Sequence, residues 1–328
     1  MAFGRGSIRR FLVTGCAGFI GSRLSEALLA DGCEVLGVDA LTDFYSPSHK
    51  KRALNRALGH SNFAFHELDL TNAPLIELAS GVGGIFHLGA QPGVRVSWGP
   101  SFDAYAINNL VASQRVLDCA SQLGIRVVLA SSSSIYGDAE TYPTSENVEP
   151  RPISPYGVTK LACEHLARAY AASEGGEVIT LRYFTVYGPR QRPDMAFARV
   201  IDALSEGRSF QVFGDGRQSR DFTFIDDAVA ATIAAMEDAP PGAVYNVGGG
   251  SEATLRDVIT IIEKLSDLAL DVEFRDHAVG DVRRTLADTT RIRSDLGWTP
   301  RTGLREGLRA QLGAHGVPLL EPSSEIPA

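Results

Sequence analysis

One glycine-rich segment near the N-terminus constrains the fold of this 328-residue chain more than any other feature. The segment reads Thr14-Gly15-Cys16-Ala17-Gly18-Phe19-Ile20-Gly21, and it joins the apolar run RRFLVTG to the amphipathic stretch IGSRLSEALLADG. A strand that turns directly into a helix in this way presents backbone N–H groups at the helix N-terminus, where a diphosphate binds well. Gly15 permits the tight turn, Gly18 lets the backbone approach the diphosphate, and Gly21 lets helix and strand pack closely.

The rest of the first half repeats this alternation of apolar strands and helical stretches. The strand-like runs are EVLGVD, FAFHELDL, GIFHLGA, RVVLASSS and VITLRYF, and two long helices are predicted over 102–123 and 156–172. Strands that alternate with helices of this length indicate a parallel sheet covered on both faces. The sequence therefore predicts an α/β fold, a Rossmann-type doubly wound parallel sheet with a smaller C-terminal α/β lobe.

The residue composition of the chain changes after Gly188, where prolines, charged residues and residues typical of loops become frequent. We expect a nucleotide-binding domain over 1–187, with 223–250 returning to it through the strand-like run GAVYNVGGG. A substrate-binding lobe is expected over 188–222 and 251–315, with a capped helix that begins near Thr254. The proline- and serine-rich segment 316–328 is predicted to be a flexible tail.

Composition excludes several classes of partner. With 44% apolar and 21% charged residues, and no apolar run near the ~20 residues of a membrane helix, we expect no membrane partner. The formal net charge of -8 disfavours nucleic acid, which needs a basic surface. The four cysteines, at 16, 33, 119 and 163, form no CxxC pair and no cluster with histidine, so no metal site is predicted. We expect them to be buried thiols in a reducing cytoplasm, and the N-terminus carries no recognisable targeting signal.

Asp39 ends the second predicted strand, at the distance expected for a carboxylate that binds the adenosine ribose. A carboxylate there repels a 2′-phosphate and favours NAD over NADP, although a solvated Asp at a strand end is the other interpretation. We expect Asp69 and Leu70 at the adenine edge, and Gly89-Ala90-Gln91 where the cofactor passes close to the backbone. Further residues expected at the cofactor site are Phe19, Ile20, Leu88, Asn109 and Tyr183.

Tyr156 and Lys160 stand four residues apart, which places a phenol and an ammonium on the same face of a helix. A neighbouring cation favours the phenolate, the form that accepts a proton. Alone, this pattern also fits a surface pair that contributes about 0.3 kcal/mol to helix stability. The segment Ala130-Ser131-Ser132-Ser133-Ser134-Ile135-Tyr136-Gly137 supplies hydroxyl groups where another strand of the same sheet ends, which is where ligands bind in such folds. A simple serine-rich turn is the alternative there.

Four motifs in order, TGxxGFIG, Asp39, ASSSSIYG and SPYGVTK, resemble the extended short-chain dehydrogenase/reductase family of nucleotide-sugar epimerases and dehydratases. The similarity runs from about Phe11 to Gly313. The resemblance implies NAD as cofactor and Tyr156 as the catalytic base. It assigns Lys160 to tuning that base and binding ribose, and Ser132 as the third catalytic member. It places Ser133 and Ser134 next to the sugar.

Within that family the dehydratases carry an Asp-Glu pair after the catalytic Ser or Thr, and this chain has Ser133-Ser134 instead. Without those acids a water elimination lacks its general acid, so epimerisation is favoured. The runs HLGAQPGVRVS, LRYFTVYGPRQRPDM and FGDGRQSRDFTFIDD resemble the UDP-glucuronate 4-epimerases most. A planar guanidinium grips a carboxylate well, so we expect Arg192 to bind a uronate, with Thr185 as a neutral donor. A solvated loop arginine is the alternative for Arg192.

The same resemblance places Arg220 on the UDP diphosphate, Gln211 and Phe213 at the uracil end, and Arg95 among the substrate contacts. UDP-glucose epimerases often carry an arginine just before the late Gly-Asp motif, whereas Ala278 and Val279 stand there in this chain. The diphosphate charge is therefore expected to fall on Arg220 and on Arg283.

Three other functions stay open at this point. Two are enzymes that share the chemistry up to a 4-keto sugar: a UDP-glucose 4-epimerase and a UDP-glucuronate decarboxylase. The third is a non-catalytic NAD-binding sensor of the same fold. The helices over 102–123 and 156–172 carry more apolar positions than one sheet contact needs, and in the resembling family such a pair forms a homodimer interface, which we expect here.

Overall fold

A computed structural model describes residues 9–174, 176–276 and 280–320, without the side chains of residues 173 and 174. The strands are β1 Arg10–Thr14, β2 Glu34–Asp39, β3 Phe63–Glu67, β4 Gly84–His87, β5 Val127–Ser132, β6 Val178–Tyr183, β7 Thr185–Tyr187, β8 Phe210–Phe213, β9 Ser219–Phe224, β10 Val244–Val247, β11 Ser251–Thr254 and β12 Val272–Arg275. The helices are α1 Phe19–Ala30, α2 Pro47–Leu58, α3 Leu75–Ala79, α4 Phe102–Tyr105, α5 Ala112–Leu123, α6 Pro155–Glu174, α7 Ala196–Glu206, α8 Ile225–Asp238, α9 Leu255–Ser266, α10 Thr290–Leu296 and α11 Leu304–Ala314. A π-helical segment, Ala106–Val111, joins α4 to α5. Ala278, Val279 and residues 321–328 of the expected tail lie outside the described residues.

The large sheet confirms the predicted Rossmann-type fold. Seven strands lie in the order β3-β2-β1-β4-β5-β6-β10, and every neighbouring pair is parallel. Both faces are covered, since alternate residues of β1 enter different cores: Phe11 and Val13 pack in one, and Leu12 packs in the other. The strand order reverses between β1 and β4, and the crevice outside the carboxyl ends of the strands at such a point is where ligands bind.

The smaller lobe contains two short sheets, β7-β9-β11 and β12-β8. Here the structure differs from the expected boundaries. Thr185–Tyr187 pairs with Phe222–Phe224, so β7 belongs to a sheet of the lobe although the predicted first domain extended to 187. The chain leaves the large sheet at Phe184, whose N–H donates to the carbonyl of Val247, the last residue of β10. The predicted boundary at 222 is also displaced. It falls inside β9, which lies between β7 and β11 in the three-stranded sheet of the lobe.

The C-terminal part of the lobe is built on a capped helix. The Thr254 hydroxyl accepts from the N–H of Asp257 while the Asp257 carboxylate accepts from the N–H of Thr254, the reciprocal pair that starts α9. Residues 316–320, the first part of the predicted flexible tail, pack against this lobe. Val317 is buried, and the N–H of Leu320 donates to the carbonyl of Leu265 at 2.9 Å.

All four cysteines are free and buried, as predicted. Burial raises the pKa of the Cys119 thiol to about 11, which keeps it in the unreactive protonated form. In the described ranges, no helix has both the length and the apolar content needed to cross a bilayer.

Candidate active site

A cavity of about 360 Å³ follows the carboxyl ends of the parallel strands. It brings together residues that are far apart in the sequence but that the motifs predicted for one site. The predicted site residues in its lining are Gly15, Gly18, Phe19, Ile20, Gly21, Asp39, Asp69, Leu70, Leu88, Gly89, Ala90, Gln91, Ser132, Ser133, Ser134, Tyr156, Lys160, Tyr183, Thr185 and Arg192.

The glycine-rich turn forms one end of the cavity, and its spacing is dictated by backbone contacts. A Cβ atom on Gly21 would lie 2.1 Å from the carbonyl oxygen of Gly15, and one on Gly15 would lie 2.7 Å from the backbone nitrogen of Gly89. Within the described residues, no side chain caps the start of α1 at Gly18. The first N–H groups of this 12-residue helix are therefore available to an anion, and the turn fits a dinucleotide diphosphate.

Asp39 lies beside this turn at the end of β2. Its carboxylate accepts from the N–H of Leu41 at 2.8 Å and from the N–H of Ala17 at 3.1 Å, so the side chain is fixed in place. Burial raises its pKa, while the ammonium of Lys50, 3.9 Å away, acts in the opposite direction. Each carboxylate oxygen can accept a further hydrogen bond, so the fixed side chain is suited to accept from the ribose hydroxyl groups of NAD.

The start of α6 places the two candidate catalytic residues. Ser154 caps the helix, because its hydroxyl accepts from the N–H of Gly157 at 3.1 Å, and Pro155 supplies the fixed φ of the first helical position. Tyr156 then falls in the first turn and Lys160 one turn later. Gly157 lets this turn approach the serine segment, since a Cβ atom there would lie 2.5 Å from the carbonyl oxygen of Ser134.

Both side chains of the pair are held by neighbouring groups. The ammonium of Lys160 donates to the carbonyl oxygen of Ala130 at 2.9 Å. The ring of Tyr156 packs edge-on against Tyr105, with 6.2 Å between ring centroids. The Tyr105 hydroxyl lies 2.8 Å from the carbonyl oxygen of Pro92, so this ring is itself anchored to a loop of the cavity.

The serine segment divides into two roles. Side chains alternate along a strand, so Ser131 and Ser132 point to opposite faces of β5. Ser131 also belongs to the lining, but its hydroxyl donates to Glu164 at 2.5 Å and is therefore already engaged. The Ser132 hydroxyl accepts from the N–H of Ser134 at 3.1 Å and lies at the cavity. Ser132, Ser133 and Ser134 are thus the hydroxyl groups on the sugar side.

Behind the serine segment lies a buried ion pair that the sequence analysis missed. The Arg182 guanidinium donates to both oxygens of Glu164, at 3.0 and 2.7 Å, and to the Tyr136 hydroxyl at 2.7 Å. Both charged side chains are less than 5% exposed. Burial raises the pKa of Tyr136 to about 12, which keeps that phenol neutral. The pair ties β6 and α6 to the serine segment, and no local motif could have revealed contacts between residues 18 positions apart.

Asn109 does not reach the cavity where the sequence analysis placed it. It is fully buried, and its side-chain oxygen accepts from the N–H of Gln91 at 2.7 Å while its amide nitrogen donates to the Thr159 hydroxyl at 3.0 Å. The π-helical segment turns Asn108, not Asn109, toward the lining. Asn109 therefore connects the Gln91 loop to α6 from behind the wall.

Arg192 also belongs to the lining of the cavity, and it pairs with Asp194. Its Nε donates to Asp194 Oδ1 at 3.0 Å and its Nη2 to Oδ2 at 2.9 Å, a two-bond contact along one edge of the guanidinium. Burial by itself lowers the pKa of Arg192, but the hydrogen bonds and the charge of Asp194 outweigh burial and raise it. The charge of Tyr156 is a further, smaller contribution that raises the pKa of Arg192.

The other four predicted substrate residues lie outside this lining and form a neighbouring cluster. The Arg95 guanidinium stacks 4.6 Å from the ring centroid of Phe213 and pairs with Asp281 at 2.6 Å. Gln211 lies two positions before Phe213 on β8 and so shares its face. Arg220 lies close enough to Arg95 for the two charges to interact, and burial, opposed by Asp281 and reinforced by Arg95, lowers the pKa of Arg220. Two neighbouring cations fit a diphosphate.

Several residues in the lining were not predicted. Some of them come from the loop after β2 and from α2, namely Thr42, Phe44, Tyr45 and Lys50, and others, such as Asn108 and Met195, come from elsewhere in the chain. The adjacent aromatic residues Phe44 and Tyr45 were a signal in the sequence, because large aromatic side chains are usually at least partly buried.

The model of the NAD dependent epimerase/dehydratase family matches residues 11–248 of this chain, which include the glycine-rich turn, Asp39, the serine segment, Tyr156 and Lys160. The chain belongs to the NAD-dependent epimerase/dehydratase family. The recognition made from the motifs is thereby confirmed.

Relatives in this family agree over nearly the whole chain. An uncharacterized UDP-glucose epimerase, YtcB, of Bacillus subtilis is 43% identical over 92% of this chain and 96% of its own length. A UDP-glucuronate 4-epimerase of Thermodesulfobacterium geofontis is 37% identical over 91% of this chain and 94% of its own. Among solved structures, the UDP-glucuronic acid 4-epimerase of Bacillus cereus, in complex with UDP-glucuronic acid and NAD, superposes with a TM-score of 0.91. It is 39% identical and covers 93% of this chain and 98% of its own.

Proposed function

We propose that this chain is an NAD-dependent UDP-sugar 4-epimerase that interconverts UDP-glucuronate and UDP-galacturonate through a 4-keto intermediate. The observation that carries the proposal is the placing of Arg192 in one cavity with Tyr156, Lys160 and Ser132. A uronate that is oxidised and reduced at carbon 4 needs a base and a hydrogen-bond donor at its 4-hydroxyl and a cation at its carboxylate. Tyr156, Ser132 and Arg192 provide these groups around one cavity. The similarity to epimerases of UDP-glucuronate supports the same substrate.

NAD fits the end of the cavity formed by the glycine-rich turn and Asp39, where it supplies hydride transfer from and back to carbon 4 of the sugar. The N-terminus of α1 would hold its diphosphate, and the fixed carboxylate of Asp39 would hold its ribose hydroxyl groups. Lys160 is tied to Ala130 in the wall and would hold the second ribose with its remaining N–H groups.

The proton chemistry belongs to Tyr156. As phenolate it takes the proton of the 4-hydroxyl while the hydrogen on carbon 4 leaves as hydride, which gives a 4-keto sugar. Ser132 would donate to the same sugar oxygen and orient it, and Lys160 would supply a positive charge one helical turn from Tyr156. The sugar then turns about its diphosphate link, hydride returns to the opposite face, and Tyr156 gives back the proton. Net inversion results without net oxidation.

Arg192 and Thr185 would hold the carboxylate of the sugar. A 4-keto uronate is a β-keto acid. It loses carbon dioxide when the bond between carbon 5 and the carboxylate carbon aligns with the π orbitals of the 4-keto group. A guanidinium that fixes the carboxylate away from that alignment lets hydride return first. Arg220 and Arg95 would bind the diphosphate, and Phe213 and Gln211 the uracil, so the ring turns while the nucleotide stays anchored.

A second candidate function is favoured by one observation. Asp194 already pairs with Arg192, which reduces the net charge that a neutral sugar would meet. A UDP-glucose 4-epimerase is therefore the alternative, and the Bacillus subtilis relative carries a name of that kind.

The test is to incubate the purified protein separately with UDP-glucuronate and with UDP-glucose and to identify the products by proton NMR. We expect UDP-galacturonate from UDP-glucuronate at a kcat/KM well above that for UDP-glucose, without net release of carbon dioxide. A preference for UDP-glucose would support the alternative. Formation of a UDP-pentose and carbon dioxide would indicate a decarboxylase. Protein-bound NAD without turnover of either sugar nucleotide would indicate a sensor.

We also propose that the protein is a homodimer and works in the cytoplasm. Ile107 and Val111, one turn apart on the π-helical segment, are about half exposed, as is Val158 on α6. Apolar side chains exposed on two packed helices support pairing with a second copy. Four free buried cysteines suit a reducing compartment.

A further inference from the structure

We propose that Asp194 is the residue that makes Arg192 specific for a carboxylate, by holding one edge of its guanidinium so that the other edge faces the sugar. The inference rests on the proposed function, because it concerns how the same cavity would recognise a uronate. Asp194 acts through Arg192 and is a positioning residue.

The hydrogen bonds leave one edge of the guanidinium for a ligand. A guanidinium has two edges that bind a carboxylate with two parallel bonds, one formed by Nε and one Nη, the other by the two Nη groups. Asp194 occupies the first edge, through Nε and Nη2 of Arg192. Arg192 belongs to the lining of the cavity and Asp194 does not. Asp194 thus grips the arginine from outside the cavity, and Nη1 with the second N–H of Nη2 remains for a ligand inside it.

The two residues before Arg192 are anchored to the rest of the fold, so the direction of the guanidinium depends on its own contacts. Arg190 forms two bonds with Glu26 of α1, at 2.7 and 2.8 Å. Gln191 is buried, donates to the carbonyl of Val186 and accepts from the N–H of Ala198. With the backbone fixed, the long arginine side chain still has several rotatable bonds, and Asp194 restrains them.

Two consequences follow for sugar recognition. A guanidinium that is already oriented loses less conformational entropy when a carboxylate docks on its free edge. A neutral sugar places no charged group on that edge and gains nothing from its orientation. Removal of Asp194 is therefore expected to weaken binding of the uronate and to leave the neutral sugar nearly unaffected.

The test compares Asp194→Asn and Asp194→Ser with the wild type, with UDP-glucuronate and with UDP-glucose as substrate or competitive inhibitor. Asn has the size of Asp but can accept only one of the two hydrogen bonds from Arg192. Ser is shorter and uncharged, and it removes the two-bond contact. We expect KM for UDP-glucuronate to rise about tenfold, the order of one charge-assisted hydrogen bond, with kcat changed less than KM. The KM or inhibition constant of UDP-glucose is expected to stay within about twofold of the wild type, an effect too small to count as one lost hydrogen bond.

A double-mutant cycle separates positioning from general damage. In an Arg192→Ala background, Asp194→Asn is expected to have no further effect on UDP-glucuronate, because the two residues act as one unit. The matched control is Asp226→Asn. Asp226 pairs in the same way with Nε and Nη2 of Arg23, at 2.7 and 3.0 Å, outside the cavity lining, and its loss is expected to leave both sugars unaffected.

The outcomes also distinguish this inference from the proposed function. If the wild-type protein epimerises UDP-glucuronate but the Asp194 variants bind it as well as or better than the wild type, or lose both sugars equally, the inference is overturned and the function stands. Additive losses in the cycle overturn it as well. If the wild-type protein does not act on UDP-glucuronate, the proposed function fails on that measurement alone and the inference falls with it.

Discussion

The ammonium of Lys160 donates a 2.9 Å hydrogen bond to the carbonyl oxygen of Ala130. This contact ties the second turn of α6 to the end of β5, two residues before Ser132. Because Tyr156 lies one turn before Lys160, the same tie fixes the spacing between the candidate base and the candidate hydroxyl donor. The geometry of the candidate site is therefore set by the sheet and the helix, not by a loop.

Replacing Tyr156 by Phe should remove the base and leave the cavity its shape. A positioned acid–base group contributes about 10² to 10⁴ in rate, so we expect kcat for epimerisation to fall by at least about 10³ while NAD and UDP-glucuronate still bind. Turnover and calorimetric binding are the measurements. Tyr170→Phe is the matched control on the same helix, since its hydroxyl bonds to Gln114 and lies outside the cavity lining. Near-normal turnover in Tyr156→Phe would contradict the assignment.

Replacing Arg192 by Ala should affect the two sugars unequally. A charge-assisted contact contributes about 1.5–3 kcal/mol, so we expect kcat/KM for UDP-glucuronate to fall by about 10- to 150-fold. UDP-glucose lacks the carboxylate and should change by less than about threefold, well below the loss of such a contact. Steady-state kinetics with both sugars decide the matter, and an equal loss for both would refute a carboxylate role.

Replacing Arg220 by Gln should weaken every ligand that carries the diphosphate. Its half-buried guanidinium lies near Arg95, and two neighbouring cations attract an anion, so we expect Kd to rise by about 10- to 100-fold for UDP, UDP-glucose and UDP-glucuronate alike. Titration calorimetry measures this. The exposed Arg217, three residues earlier, provides the control Arg217→Gln. A loss confined to the uronate would place Arg220 on the sugar instead.

His87 makes the fold sensitive to acid. It bonds to Thr14 at 2.8 Å and to Ser113 at 3.0 Å, under the glycine-rich turn. Burial, and after it the charge of Lys160, lowers the pKa of His87 from 6.5 to about 3. Between those values the unfolded chain binds a proton that the folded chain does not, so the free energy of unfolding falls as the pH drops from 6.5 toward 3. The slope approaches about 1.4 kcal/mol per pH unit.

Urea unfolding at several values between pH 7.5 and 5 measures this effect, which should reach about 2 kcal/mol at pH 5. His87→Gln should lower the stability at pH 7.5 but flatten its dependence on pH over that window. His49→Gln, at an exposed position of α2, should keep the wild-type slope. An unchanged slope in His87→Gln would show that other groups set the acid sensitivity.

The parts of the site that the sequence revealed are those that local chemistry determines. The glycine-rich turn, Asp39 and the Tyr156–Lys160 pair each sit at a strand end or on one helix face, so spacing alone placed them correctly relative to the sheet. The parallel sheet itself followed from the alternation of strands and helices.

What the sequence did not reveal depends on contacts between distant segments. Phe44 reaches the cavity because its loop folds back near Gly93, and the ion pair of Glu164 with Arg182 joins a helix to a strand. Asn109 lies behind the wall because its side chain bonds to Gln91 and Thr159, and it belongs to a π-helical segment that helical spacing alone does not predict. None of these features leaves a periodic pattern along the chain.

The most direct test of the account uses UDP-glucuronate that carries deuterium on carbon 4, incubated with the holoenzyme in ordinary water. In the proposed mechanism, the hydrogen on carbon 4 is removed and returned as hydride without exchange with solvent, and Tyr156 transfers only the hydroxyl proton. We therefore predict that UDP-galacturonate retains the deuterium at carbon 4, as read by NMR and mass spectrometry. Replacement of that deuterium by solvent hydrogen would mean that carbon 4 loses a proton, not a hydride, and would contradict the mechanism.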